Sequence, residues 1–75
     1  MTVYARIRAL RKQKGITSKH VATQLNLTPS GYSMKERGKR PFTVQEIEQV
    51  ARIIGVAITD FFSEKVNETR TDKTA

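Results

Sequence analysis

One stretch, residues 17 to 37, limits the possible folds of this chain more than any other, because it predicts two short helices separated by only a few residues. Thr17 is a suitable N-cap for a helix from residue 18 to about residue 24, since its hydroxyl can accept a backbone hydrogen bond of the first turn. Asn26 tolerates the positive φ of a tight turn. The first helix is therefore expected to end abruptly and to be followed by a second one.

The second helix begins at a strong start signal, Thr28 followed by Pro29. Threonine caps a helix, and proline suits the first helical position because its missing N–H would have no partner there. We predict a helix from Pro29 to about Arg37, with Gly38 as its stop and Tyr32 as its clearest inward residue. The outer face carries Ser30, Gly31, Ser33 and Met34. The glycine among them costs about 1 kcal/mol relative to alanine, which implies either a close approach from outside or a simple packing reason.

Charge is divided unevenly along the chain. Residues 1 to 40 carry ten Lys or Arg and one acid, Glu36, whereas residues 41 to 75 carry four Lys or Arg and six acids. The net charges are therefore about +9 and about −2, and the total is +7. This segregation favours a polyanion such as nucleic acid over a merely soluble basic surface. Lys19 and His20 oppose the dipole at the start of their helix, so either a phosphate lies beside them or this is a poorly optimised surface turn.

A further helix is predicted before this stretch. Val3, Ile7 and Leu10 recur at helical spacing, which indicates an amphipathic helix from residue 3 to residue 14. Gly15 follows in the position of a left-handed C-cap. The helix from residue 3 to residue 14 therefore has one apolar face to place against the pair of helices in residues 17 to 37.

Two more helices are predicted after the pair. Thr43 and Glu46 form a capping box at the start of a fourth helix, which ends at Gly55. Its apolar face consists of Val44, Ile47, Val50, Ala51 and Ile54. A short fifth helix is expected to contain Phe61 and Phe62, as the bulk of the far side of the core.

These elements predict a compact all-α domain of five helices over residues 1 to 65, followed by a polar flexible tail or the start of a linker at residues 66 to 75. No nucleophile with a base, paired carboxylates or ligand cluster is recognisable, so we expect no enzymatic activity, small-molecule substrate or cofactor. Cysteine is absent, which fits a reducing compartment, and the single histidine, His20, cannot hold a metal alone. With no apolar run of about 20 residues and no apolar N-terminal segment, a cytoplasmic, nucleoid-associated protein without membrane contact is expected.

Six short segments form a specific combination. They are IRALRKQKGIT at residues 7 to 17, VA at 21 and 22, LNLT at 25 to 28, ERGKRP at 36 to 41, IGV at 54 to 56 and FF at 61 and 62. This combination resembles the phage repressor and Cro type of helix-turn-helix, also called the XRE family. The resemblance implies a lambda-repressor-like fold that binds double-stranded operator DNA as a symmetric dimer and regulates transcription in bacteria or phages.

The resemblance also implies roles for particular residues. The family pairs an arginine of helix one with a glutamate at the end of the recognition helix, here Arg11 and Glu36; a solvated glutamate is the alternative. The phosphate contacts correspond to Ser18, Lys19, Arg37, Lys39 and Arg40, and the base readers to Pro29, Ser30, Gly31, Ser33 and Met34. None of these readers is Gln, Asn or Arg, so specificity would depend on DNA shape, on water, or on Lys35 and Arg8.

Lys35 departs from the family pattern, which has an inward apolar residue at this position. Either its alkyl stem covers the core while its ammonium reaches solvent or a DNA phosphate, or the helix is rotated or ends early. We favour the first alternative and add Lys35 to the expected phosphate contacts. The phenylalanines are also open to two interpretations, because Phe42 and helix five could form a dimer contact or belong to the core.

Two functions remain in competition after these observations. The leading hypothesis is a sequence-specific DNA-binding transcriptional regulator of the repressor, Cro or controller type, which binds a palindromic operator as a homodimer. The alternative is an antitoxin or anti-repressor type of partner, whose helix-turn-helix mainly binds another protein. The weak base-reading face favours the alternative, and the strongly cationic half favours DNA.

Overall fold

A computed structural model describes residues 2 to 62, and the predicted tail at residues 66 to 75 lies outside the described residues. Four α-helices follow one another: α1 (Val3–Gln13), α2 (Ser18–Gln24), α3 (Pro29–Glu36) and α4 (Val44–Ile54). A single 3₁₀ turn, Ile58–Phe61, comes after them. The all-α class is confirmed, whereas the count of five helices is not. No helix in this part of the chain is both long enough and apolar enough to span a bilayer.

All four helices begin at a threonine cap. The hydroxyls of Thr17 and Thr28 each accept a backbone N–H of the first turn, at 3.1 and 3.0 Å. Thr43 and Glu46 form the predicted capping box, with both hydrogen bonds at 3.0 Å. Asn26 has a φ of 59° in the turn between α2 and α3. The glycines predicted as stops all have positive φ: Gly15, Gly38 and Gly55. Local start and stop signals therefore account for where the helices lie.

The core lies where the four helices and the 3₁₀ turn meet. Every element contributes to the buried apolar side chains, which are Ile7, Val21, Ala22, Tyr32, Val50, Ala51, Ile54 and Phe61. The small side chain of Ala22 lets α3 approach α2 closely, and the Ala22 carbonyl accepts the N–H of Leu27 at 2.9 Å within the turn. The two helices are thus held together both by packing and by the backbone of the turn between them.

Two predictions at the edges of the core are wrong. Val44 was predicted on the apolar face of α4 but is 71% exposed. The prediction failed because periodicity gives the face of a residue but not how far the core extends along the helix. Phe61 is buried, but Phe62 is 56% exposed.

The predicted fifth helix is only a 3₁₀ turn, in which the N–H of Asp60 donates to the carbonyl of Ala57 at 2.9 Å. So short a segment favours the tighter i to i+3 bonds.

Candidate nucleic-acid interface

The outer face of α3 is most accessible at its capped N-terminus. The hydroxyl of Thr28 accepts the N–H of Gly31 at 3.0 Å, which fixes the first turn. A Cβ added to Gly31 would lie 2.9 Å from this same hydroxyl oxygen, so local packing explains the glycine without a ligand. The five predicted base readers divide into two exposed residues, Pro29 and Ser30, and three half-buried ones, Gly31, Ser33 and Met34.

Exposed cations lie on both sides of this turn along the chain. At the start of α2, Lys19 is exposed and Ser18 is half-buried. After α3, the predicted phosphate contacts Arg37, Lys39 and Arg40 are all exposed. None of these four cations forms an ion pair within residues 2 to 62. Their charges are therefore available to an external anion.

The loop after α3 is held against that helix and against α1. The N–H of Lys39 donates to the carbonyl of Met34 at 2.8 Å, and the N–H of Gly38 donates to the carbonyl of Lys35 at 3.2 Å. Gly38 has a φ of 77°, and a Cβ added to it would lie 2.7 Å from the hydroxyl oxygen of Tyr4. Only glycine therefore fits this turn without strain, and the two backbone hydrogen bonds set the direction in which the chain leaves α3.

Beneath α3, three polar side chains form a buried cluster. The Nε and Nη2 atoms of Arg11 donate to the two carboxylate oxygens of Glu36 at 2.7 and 3.1 Å. The hydroxyl of Tyr32 donates to the same carboxylate at 2.5 Å, and Nη1 of Arg11 donates to the carbonyl of Ile16 at 2.7 Å. Only 8% of Arg11 and 5% of Glu36 are exposed. The structure thus brings the two residues together, and the alternative of a solvated glutamate does not hold.

The buried cluster keeps its proton donors protonated. The hydrogen bond to Glu36 raises the pKa of Arg11, and burial together with the Glu36 carboxylate raises the pKa of Tyr32. Arg11 and Tyr32 therefore stay protonated around neutral pH, and the cluster joins α1 to the last turn of α3. The sequence predicted that Tyr32 lies in the core but not that it bonds to Glu36. The available signal was their spacing of four residues, which puts both on one helix face.

Lys35 points into the protein and is not one of the free cations. Its ammonium donates to Oε1 of Glu46 at 2.8 Å and to the carbonyl of Pro41 at 3.0 Å, and it lies 6.0 Å from the centre of the Phe42 ring. The prediction that this ammonium reaches solvent or DNA is wrong, because an acid of α4 lies within its reach. Although burial alone would raise the pKa of Glu46, hydrogen bonds from Lys35 and Thr43 hold it below its ordinary value.

Within residues 2 to 62, no acidic side chain is paired with Lys19, Arg37, Lys39 or Arg40. Glu36 and Glu46 are each bound by a cation inside the protein, and Glu48 and Asp60 lie on α4 and on the 3₁₀ turn. No group of three or more His, Cys, Asp or Glu that could hold a metal ion occurs in the described part of the chain. The described residues therefore offer a set of exposed cations before and after an exposed helical turn along the chain, and such cations suit a polyanion.

Two short helices, α2 and α3, joined by a tight turn and with an exposed start to the second, form a helix-turn-helix. A family model described as a helix-turn-helix matches residues 7 to 61. The chain belongs to this family, the XRE type of helix-turn-helix DNA-binding proteins, as its sequence resemblance implied. Comparison with curated proteins and with solved structures finds no match.

Proposed function

We propose that this protein is a sequence-specific transcriptional regulator of the repressor, Cro or controller type. The observation that carries the proposal is a set of four exposed cations, unpaired within residues 2 to 62, that precede and follow the exposed first turn of α3 along the chain. They are Lys19, Arg37, Lys39 and Arg40. A recognition helix needs both parts, because contacts to phosphates position the protein while contacts to base edges specify the sequence.

Selection of a site depends on the first turn of α3, where Pro29 and Ser30 are the most exposed residues. A serine hydroxyl both donates and accepts hydrogen bonds, so it discriminates poorly between bases, and an apolar ring can contact a thymine methyl group. Neither side chain makes the bidentate contacts by which Arg, Asn and Gln read purines. DNA shape and bridging water therefore carry much of the selectivity in this proposal.

The proposed active form is a homodimer on a palindromic operator, with half-sites near one helical turn apart. Phe62 is the better candidate for the dimer contact, because it is exposed. Phe42 is half-buried and packs edge-on against Tyr32, with ring centres 6.0 Å apart, which supports the core interpretation for it. Sedimentation of the protein with a selected DNA site counts the bound copies. Two copies per site are expected, and a single copy would contradict the dimer.

Replacement of Arg37, Lys39 and Arg40 together by alanine tests the proposed function. Binding to every sequence is expected to weaken, and the slope of log affinity against log salt to flatten by about 2.7, since each phosphate contact contributes about 0.9. Fluorescence titrations of a labelled duplex at several salt concentrations measure this slope. Arg52→Ala, which removes an exposed cation of α4, is the control. An unchanged slope in the triple variant would contradict the assignment of the loop to the DNA backbone.

The second candidate is an antitoxin or anti-repressor type of partner that binds another protein. It is favoured by one observation, the lack of Gln, Asn and Arg at the exposed start of α3. A gel shift with random-sequence duplex DNA at low salt separates the two functions, because DNA that is not retarded would exclude the first. Selection of bound sequences from a random pool would then identify the operator.

A further inference from the structure

A shallow groove between α1 and the end of α3 brings three cations together. Arg8 and Lys12 of α1 line it, together with Arg37, the first residue after α3. Ala5 and Ala9 also line the groove, and their small side chains leave room for a ligand to approach the helix. The groove is distinct from the outer face of α3, although it shares Arg37 with the loop that follows that helix.

The cations of this groove are not used inside the protein. Arg8, Lys12 and Arg37 form no ion pair within residues 2 to 62. Among the described residues, the one carboxylate at the groove is that of Glu36, which is already bound in the buried cluster and is almost inaccessible. Residues 2 to 62 therefore give the groove three positive charges facing solvent and no free negative charge. Like charges one helical turn apart repel each other, and a bound anion relieves this repulsion.

We propose that this groove binds the DNA backbone as a second set of phosphate contacts, which extends from Arg37 onto Arg8 and Lys12 of α1. The proposal rests on the proposed function. Arg8 and Lys12 are about 6 Å apart along the helix axis, so they can meet separate phosphates of a strand that carries one charge for every 3.4 Å or so of duplex axis. Because Arg37 belongs to both surfaces, a strand that contacts the loop after α3 continues into the groove. This continuity favours DNA over an acidic protein segment.

The double substitution Arg8→Gln with Lys12→Gln in the full chain tests this groove. Both side chains are exposed, and glutamine is a good helix former, so the fold is retained. The slope of log affinity against log salt for a random-sequence duplex is expected to flatten by about 1.8, because two contacts of about 0.9 are lost. Arg52→Glu is the matched control, since it lowers the net charge of +7 by the same two units but on α4. The control is expected to keep the parent slope.

Each other outcome overturns the proposal in a distinguishable way. If the parent protein does not bind DNA, the proposed function fails as well. If the parent binds and the double variant keeps its slope, only the groove assignment fails. Equal flattening in the double variant and in Arg52→Glu would show a general effect of net charge. Binding of polyglutamate that the double variant loses, with an unchanged DNA slope, would assign the groove to an acidic protein segment. Circular dichroism melts verify that all variants are folded.

Discussion

The two sides of α3 differ sharply in how fully their contacts are specified. On the inner side, Tyr32 and Glu36 are buried, and both are hydrogen bonded within the cluster that contains Arg11. On the outer side, Pro29 and Ser30 are exposed, small and uncharged. The inner side therefore fixes where the helix lies, whereas the outer side is free to change without moving it. Stability and site selection are expected to respond to different substitutions.

The substitution Glu36→Gln removes the charge on the inner side of α3 and is expected to have the largest effect on the free energy of unfolding. The guanidinium of Arg11 would stay buried without its counter-ion, and breaking a buried pair in this way costs about 3 to 5 kcal/mol. Urea denaturation measures the free energy of unfolding. The control is Glu48→Gln on the exposed face of α4, which is expected to change it by less than about 0.5 kcal/mol. A loss below about 1 kcal/mol for Glu36→Gln would show that the cluster does not position α3.

An intermediate effect is expected for Lys35→Met, which keeps the apolar stem and removes the bond to Glu46. The free energy of unfolding at neutral pH is expected to fall by about 1 kcal/mol, because the pair is only partly buried, with 13% and 18% of the two side chains exposed. Since the folded pKa of Glu46 is held below its ordinary value, the pair stabilises the fold above pH 4.5 or so, and this contribution is lost as pH falls through the lower folded pKa.

Urea denaturation of the parent and of Lys35→Met at several pH values measures this dependence. The difference between the two proteins is expected to shrink below about pH 4.5 and to be lost as pH falls through the lowered folded pKa of Glu46. Lys39→Met, in the exposed loop, is the matched control and is expected to show little difference at any pH. A difference between the parent and Lys35→Met that is constant with pH would mean that lost packing, and not the ion pair, destabilises the variant.

The smallest change in stability is expected for Ser30→Ala on the outer side. An exposed side chain of this kind contributes less than about 0.5 kcal/mol to the free energy of unfolding. Selection from a random DNA pool is nevertheless expected to return a different sequence preference. Gln49→Ala on α4 should leave both quantities unchanged. If Ser30→Ala instead unfolded the domain while the selected sequences stayed the same, the two sides of α3 would not be separable.

The positions of the helices were predictable because their signals are local. Asn26, Thr28 and Pro29 act on the backbone within a few residues, so the turn between α2 and α3 follows from the sequence alone. The exposure of Val44 and Phe62 was not predictable in this way. Whether an apolar side chain is covered depends on how far neighbouring helices reach, and periodicity contains no such information.

The contacts of the candidate site were predictable only in part. The contact of Arg11 with Glu36 was expected from the family resemblance together with the isolation of a single acid among cations. Lys35 and Glu46 are eleven residues apart, and only the path of the chain from α3 into α4 brings them together. The groove cations also come from α1 and from the residue that follows α3, so their proximity appears only once α1 is packed against α3.

The loop from residue 37 to residue 42 is held at both of its ends. Its start is bonded to the last turn of α3 through Lys39, and at its end Lys35 holds the carbonyl of Pro41 while Phe42 packs on Tyr32. Fixing the backbone of one residue costs about 1 to 2 kcal/mol in conformational entropy. Since folding has already ordered this loop, a phosphate strand that binds it incurs little of that cost, and its charges act as a preorganised surface.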